Sequence, residues 1–214
     1  TYIQGALART LPASLVTGST YIFPVGKTVY SPFDLVNPTT NAGGTVVVIA
    51  EAFDGNAGGT PGTLMGSINT SKYWAASIVS GSANFTNTFV RLKGTRGTQD
   101  AIAASSTLTG AYDQQGGVVA TVTDTTILTT APAQTAIPGY YLMGNLAAAS
   151  LGTLGISPSG NQCTNVARDI SVVVTPGGAA ISTVTLTYQV NGGTAQNVTM
   201  TNSTGNGGLN ADTW

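Results

Sequence analysis

The sequence contains no histidine and few charged side chains of any kind. Its 214 residues include seven basic and eight acidic side chains, 7% of the total, whereas charged residues make up about a quarter of an average soluble domain. Most catalysis and most metal binding depend on His, Asp, Glu, Lys or Cys. We therefore expect a protein that is not an enzyme and that needs no cofactor or metal ion.

Other absences narrow the list of partners. The net charge is −1, so there is no basic patch to neutralise the phosphates of a nucleic acid. No run of about 18 apolar residues is present to span a membrane. Cys163 is the only cysteine, so it cannot form an internal disulfide and has no histidine to activate it. We expect it to be a small, partly buried side chain.

Thr, Val, Gly and Asn are abundant, and short apolar or alternating runs recur between Gly, Pro and Asn residues. This pattern predicts an all-β protein, a β-sandwich of jelly-roll-like form. The clearest single prediction is a hairpin around residues 191–193. Val184, Leu186 and Tyr188 alternate with polar residues before that turn, and Val198 and Met200 do so after it. One face of the hairpin should therefore be buried.

A change of composition near residues 157–160 predicts the domain boundary. We expect a β-sandwich domain at 1–156 and a partial Ig-like β-module at 157–214. The second unit shows only about three strands, whereas an Ig-like sandwich needs about seven. It is expected to be cut short at Trp214 or completed by something else. The segment 147–155 is compatible with either a short helix or an extended run.

The candidate ligand-binding residues are aromatic. Tyr73 and Trp74 form one pair and the tyrosines at 140 and 141 a second, and such rings either stack on a sugar or pack in a core. Strand alternation places one member of each pair inside, and Trp74 is expected to anchor the core. Asp54 begins a segment similar to a calcium loop, although glycines follow it and a plain loop is the simpler interpretation. Glu51, the only Glu, is expected to pair with Arg91 or Lys93.

Several segments resemble the FPVG-type β-domains of large secreted surface proteins of Bacteroidota, which are type IX secretion cargo and adhesin-like. They are GALARTLP at 5–12, YIFPVGK at 21–27, YSPF at 30–33, KYWAASI at 72–78, CTNVARDISV at 163–172 and TLTYQVNGG at 185–193. The last two look like the start of the Ig-like repeat that follows such domains. The resemblance implies an extracellular or cell-surface location and O-glycosylation of Asp-Thr/Ser sites, to which Thr125 corresponds.

The FPVG motif itself is interpreted as architecture. Pro24 should end a strand, and Gly26 should supply a positive φ. Tyr30 and Phe33 would then fold into the core.

These observations lead to one principal expectation about function and two alternatives. The principal expectation is a structural or adhesive module of a surface or filament protein, whose partners are neighbouring modules or copies of itself. Residues 2–7 and the second unit would be the donor and the acceptor of an added strand. The first alternative is a carbohydrate-binding module that uses exposed aromatics on surface glycans. The second is an enzyme that uses carboxylates such as Glu51 and Asp54 alone.

Overall fold

The computed structural model describes residues 1–94, 97–115, 118–119, 126–129, 133–160, 167–190, 192–204 and 211–214. It confirms the all-β prediction: strands grouped in several sheets account for the regular structure of these residues, apart from one turn of 3₁₀ helix. Two compact units are present, Thr1–Leu146 and Ala147–Trp214, whereas composition suggests a boundary near residue 157. Within the ranges described, no helix is both long and apolar enough to cross a membrane.

The first unit contains two sheets. Its strands in chain order are β1 (Leu7–Leu11), β2 (Thr20–Phe23), β3 (Phe33–Thr40), β4 (Val46–Asp54), β5 (Thr60–Pro61), β6 (Met65–Ile68), β7 (Lys72–Ser80), β8 (Phe85–Lys93), β9 (Ala101–Ser105), β10 (Ala111–Gln114), β11 (Val118–Val119), β12 (Thr126–Thr129) and β13 (Tyr140–Leu146). The 3₁₀ turn is Ser82–Asn84. The larger sheet has the order β1-β4-β7-β13-β9-β10-β5, with β6 also paired to β13, and the smaller sheet has the order β11-β12-β8-β3-β2.

One apolar core joins the inward faces of these two sheets, as in a β-sandwich. Period-two alternation selects its members, because successive side chains of a strand point to opposite faces. On β4 every second residue from Val46 to Ala52 is buried. The larger sheet and the smaller sheet both contribute to the core, whose largest fully buried side chains include Trp74, Tyr141, Phe23, Phe33, Leu35 and Leu92.

Part of the outward face of the larger sheet is also covered. A second apolar cluster lies there, and it includes Ala103, Leu142, Tyr112 and Met65. All five residues of β9 are therefore buried, although their sequence shows no alternation. The neighbouring part of the same face, over β4 and β7, keeps partly or fully exposed side chains such as Ala75 and Ser77. This uncovered part of the sheet positions the candidate site.

The FPVG segment forms a corner, as expected, but glycine is needed there for a different reason. β2 ends at Phe23 and Pro24 follows it, which fits the expectation for that proline. Gly26 does not have a positive φ; a Cβ at this position would collide with the carbonyl oxygen of Val29 and the ring of Tyr2. The expected positive φ is wrong, and close approach of the backbone explains the residue. Phe33 is fully buried, whereas Tyr30 is 43% exposed, so only one of the two aromatics enters the core.

The second unit consists of three small sheets. Its strands are β14 (Ser150–Leu151), β15 (Gly155–Ser157), β16 (Asp169–Ser171), β17 (Val173–Thr175), β18 (Thr185–Tyr188), β19 (Gln196–Thr199) and β20 (Asp212–Thr213). They pair as β14-β17-β20, β15-β16 and β18-β19. The antiparallel β18-β19 pair, with Leu186 opposite Val198, confirms the predicted hairpin. The expected burial of one face is wrong, because Val198 is 48% and Tyr188 39% exposed.

Candidate functional site

Alternation separates the two members of each aromatic pair, as the sequence predicts. Trp74 points inward, is 1% exposed, and donates its indole N–H to the carbonyl oxygen of Ser31 at 2.8 Å. A ring with so little exposed surface has no face that a ligand can reach. Tyr141 also points inward, and burial raises the pKa of its phenol above the usual range. Tyr73 and Tyr140 point to the outer face of the larger sheet, where both are partly buried.

Tyr73 belongs to a short stack of side chains on that outer face. Its ring lies parallel to the ring of Phe53, with centroids 4.8 Å apart and an interplanar angle of 7°. The two residues face each other across β4 and β7. Lys27 places its Nζ 5.1 Å from the Phe53 centroid, a cation–π distance. Burial, with smaller contributions from the nearby Tyr140 and Glu51, raises the pKa of the Tyr73 phenol.

Glu51 is held on the same face by an ion pair. The Nζ of Lys27 lies 2.6 Å from Oε1 of Glu51, and the two side chains are 34% and 23% exposed. The expected pairing of Glu51 with Arg91 or Lys93 is wrong, because Arg91 lies in the smaller sheet and pairs with Asp34. The sequence places Glu51 and Arg91 on two strands without revealing that those strands belong to different sheets.

A cavity of about 390 Å³ lies between Glu51 and Tyr140. Glu51 is opposite Ala75 in the ladder, and Ala75 is opposite Tyr140, so the small Ala75 side chain lies between two large ones. With strands spaced 4.7–4.9 Å apart, the two walls are roughly 10 Å apart at the backbone. We call this feature the outer-face groove; it is lined by Ala6, Ile49, Glu51, Ala75, Ser77 and Tyr140, with Ala50, Ala76 and Gly139.

Asp54 is engaged in contacts within the chain. One carboxylate oxygen accepts a hydrogen bond from Lys72, and the other accepts from the backbone N–H (3.0 Å) and hydroxyl (2.6 Å) of Thr28. The hydrogen bond from Lys72, followed by those from Thr28, lowers the pKa of Asp54 to about 2. Within the described ranges, no group of three or more His, Cys, Asp or Glu side chains is arranged to hold a metal ion.

The second unit contains a larger open cavity, of about 590 Å³. Alternation on the hairpin places Leu186, Tyr188 and Val198 on one face, and this face forms one side of the cavity. Ile170 of β16 and Trp214 form other parts of its lining. We call this feature the hairpin cavity. Its walls are largely apolar, and several of the side chains that form them remain exposed.

Two sequence predictions fall outside the described ranges: the O-glycosylation site at Thr125 and the partly buried Cys163. Sequence reasoning missed Lys27 and Phe53 as members of the outer-face cluster. The sequence carries a signal for Phe53 alone, which lies two positions after Glu51 on β4 and therefore shares its face. Lys27 reaches that face from a distant corner, which the sequence does not reveal.

Comparison with protein-family models, with curated proteins and with solved structures finds no match for this chain. Its function must therefore be argued from the geometry of the outer-face groove and the hairpin cavity.

Proposed function

We propose that this chain is a structural module without catalytic activity, exposed at the cell exterior, which assembles with copies of itself through the second unit. The observation that carries the proposal is the open apolar face of the β18-β19 hairpin. Val198 is 48% exposed and Tyr188 39%, and the 590 Å³ hairpin cavity lies against this face. Apolar surface left open in this way is typical of an interaction site.

The hairpin also has edges that no other described strand pairs with. Among the described strands, β18 and β19 pair only with each other, and two strands alone are marginally stable in water. An added strand supplies backbone partners at the edge, and its apolar side chains cover the open face. Both effects stabilise the hairpin.

Charge does not protect this edge. Between Asp169 and Asp212 the sequence contains no Lys, Arg, Asp or Glu, although edge strands are usually guarded by charged side chains, above all Lys. The hairpin strands themselves therefore present no charged side chain to a neighbouring copy. The charged residues that line the hairpin cavity, Arg168 and Asp169, carry opposite signs.

The partner that fits best is the hairpin of a second copy. The N-terminal segment is a poor donor, because β1 (Leu7–Leu11) is already paired along its length with β4, and Ile3 bridges to Val25. Two identical hairpins that meet about a two-fold axis each provide an edge and an apolar face. This arrangement is the commonest kind of homo-oligomeric contact.

Composition supports the proposed absence of catalysis, and resemblance supports the proposed extracellular location and the adhesive or filament role. A chain with 7% charged residues and no histidine is poorly equipped for acid–base chemistry. In the first unit, Asp34, Glu51 and Asp54 each pair with a basic residue. The FPVG-type segments are similar to those of secreted Bacteroidota surface proteins, and this similarity is the argument for the type IX route.

Sedimentation velocity over a wide range of protein concentration tests the proposal. We expect concentration-dependent dimers or larger species for the unaltered chain. Val198→Lys, which places a charge on the apolar face, should reduce association by at least about tenfold, the equivalent of roughly 1.4 kcal/mol. The matched control is Thr185→Lys, on the opposite face of the same hairpin, which should associate nearly as well as the unaltered chain.

Two results would contradict the proposal. One is a monomer at every concentration; the other is an equal loss of association in the Val198→Lys and Thr185→Lys variants. Circular dichroism of both variants shows whether their folds are retained.

A further inference from the structure

The outer-face groove of the first unit has the shape and chemistry of a ligand site. Its volume of about 390 Å³ falls within the range of small-molecule pockets, about 300–1,000 Å³. Ala75 and Ser77 form a low floor, while Tyr140 and Glu51 rise on either side. No described residue fills it, although the second apolar cluster covers the adjacent part of the same face.

The polar groups of the groove are set for a neutral ligand. Lys27 and Glu51 form an ion pair with Nζ and Oε1 2.6 Å apart, so their charges cancel locally. Oε2 of Glu51 makes no hydrogen bond to any described residue, and it can accept one from a ligand. An anion would meet the Glu51 carboxylate, and a cation would have to compete with Lys27, which already neutralises that carboxylate from outside the groove lining. A purely apolar ligand would displace water from the ion pair and would offer no hydrogen bonds in place of those that the water made. This desolvation is costly.

The aromatic groups favour a ligand with an apolar face. Tyr140 forms one wall of the groove, and its ring is partly buried against the second apolar cluster. Its phenol makes no hydrogen bond to a described residue, so the hydroxyl and the exposed part of the ring can contact a ligand. Tyr73 lies two positions from Ala75 on the same face of β7 and is fixed by its stack on Phe53. Aromatic rings carry negative charge on their faces and attract weakly positive C–H groups.

From this arrangement we infer that the outer-face groove binds an uncharged carbohydrate. A pyranose ring has a C–H face for Tyr140 and neighbouring hydroxyls that can donate to Oε2 of Glu51. An extended peptide fits less well, because the backbone groups of β4 and β7 beneath the groove are already paired in the ladder. The inference does not depend on the self-association proposed above, since the groove and the hairpin lie in different units.

Isothermal titration calorimetry with neutral oligosaccharides tests this inference. The probes are linear hexasaccharides of β-linked glucose, α-linked glucose, xylose, mannose and N-acetylglucosamine, and an acidic probe, hexagalacturonic acid, serves for comparison. We expect at least one neutral probe to bind, with an affinity that changes little with added salt, because no net charge is involved. Tyr140→Ala should weaken this binding by about tenfold or more.

Three further variants keep the result interpretable. Ala75→Leu places a larger side chain on the floor of the groove while its Cα stays in the sheet, and it should also abolish binding. Glu51→Gln, which removes the charge but keeps the shape, should weaken binding less than Tyr140→Ala. The matched control is Tyr30→Ala, an exposed tyrosine that does not line the groove, which should bind like the unaltered chain.

The inference is overturned if none of the neutral probes binds, or if only the acidic probe does. It is equally overturned if binding survives both Tyr140→Ala and Ala75→Leu. Thermal unfolding of each variant establishes whether its fold is retained. If Tyr140→Ala is unstable, a loss of binding in the folded Ala75→Leu protein still supports the groove as the binding site.

Discussion

The pair formed by Asp34 and Arg91 makes an asymmetric prediction about stability. The two residues face each other across β3 and β8, and Nε and Nη2 of Arg91 lie 2.7 and 2.6 Å from Oδ2 of Asp34. The Asp34 side chain is only 6% exposed, whereas that of Arg91 is 35% exposed. Removal of the arginine therefore leaves a buried carboxylate without its ionic partner, while removal of the aspartate leaves a guanidinium that water can still reach.

The magnitudes follow from this difference in exposure. Arg91→Met should cost about 3–5 kcal/mol at neutral pH, the usual cost of breaking a buried ion pair from one side. Asp34→Asn keeps a hydrogen-bond acceptor beside Arg91 and should cost about 1–2 kcal/mol. Oδ1 of Asp34 is buried and has no hydrogen-bond partner among the described residues, so the carboxylate is already poorly satisfied in the native state.

The effect should also depend on pH. Burial raises the pKa of Asp34 and outweighs the opposing hydrogen bond and charge of Arg91. A carboxyl group whose pKa is raised by folding favours the folded state at low pH, and this advantage disappears as the pH rises through the folded-state pKa. Without Arg91 the pKa rises further, so the stability lost in Arg91→Met should be largely recovered near about pH 4, where an ordinary Asp begins to protonate.

Urea unfolding followed by Trp74 fluorescence, in a Trp214→Phe background that leaves one indole, measures these differences. An Asp34→Asn variant that costs as much as Arg91→Met at neutral pH would contradict the asymmetry. So would an Arg91→Met loss of stability that is unchanged at the lower pH.

Two further predictions concern the backbone and the surface charges. Gly26→Ala should lower the free energy of unfolding by about 1–3 kcal/mol, because a Cβ there collides with the Val29 carbonyl oxygen and must displace backbone. The matched control is Gly5→Ala, where nothing lies within 4 Å of the added Cβ. Equal stabilities of the two variants in urea would contradict this explanation. The lowered pKa of Asp54, about 2, means that its bond to Lys72 stabilises the fold above about pH 4 and that this contribution is lost as the pH falls towards 2. In thermal unfolding, the Asp54→Asn variant should lack this part of the pH dependence. If its melting temperature falls with acid as that of the unaltered chain does, the prediction is wrong.

Local patterns were sufficient to predict much of the fold. The alternation on β4 and β7 correctly placed Trp74 inside and Tyr73 outside, and the Gly-rich turn correctly predicted the pairing of β18 with β19. The sequence pattern does not predict β9, because all five of its residues are buried. A strand covered on both faces shows no alternation, and its Ala-rich sequence does not resemble a typical strand.

The candidate site was less predictable, because it depends on which strands become neighbours. Glu51 was expected near Arg91, yet it pairs with Lys27, which comes from the corner after β2. The outer-face groove requires β4, β7 and β13 to lie side by side, and β13 follows β7 by about sixty residues in the chain. Sequence alternation assigns a face to each side chain, but the order of the strands in a sheet is set by long-range packing.

Hydrogen exchange can test whether the open face of the hairpin is an assembly surface, as we propose. Backbone amides of Thr185–Tyr188 and Gln196–Thr199 should exchange more slowly at high than at low protein concentration, because a second copy covers them, while amides of Val46–Asp54 should not change. The same exchange rates for the hairpin at all concentrations would contradict the claim.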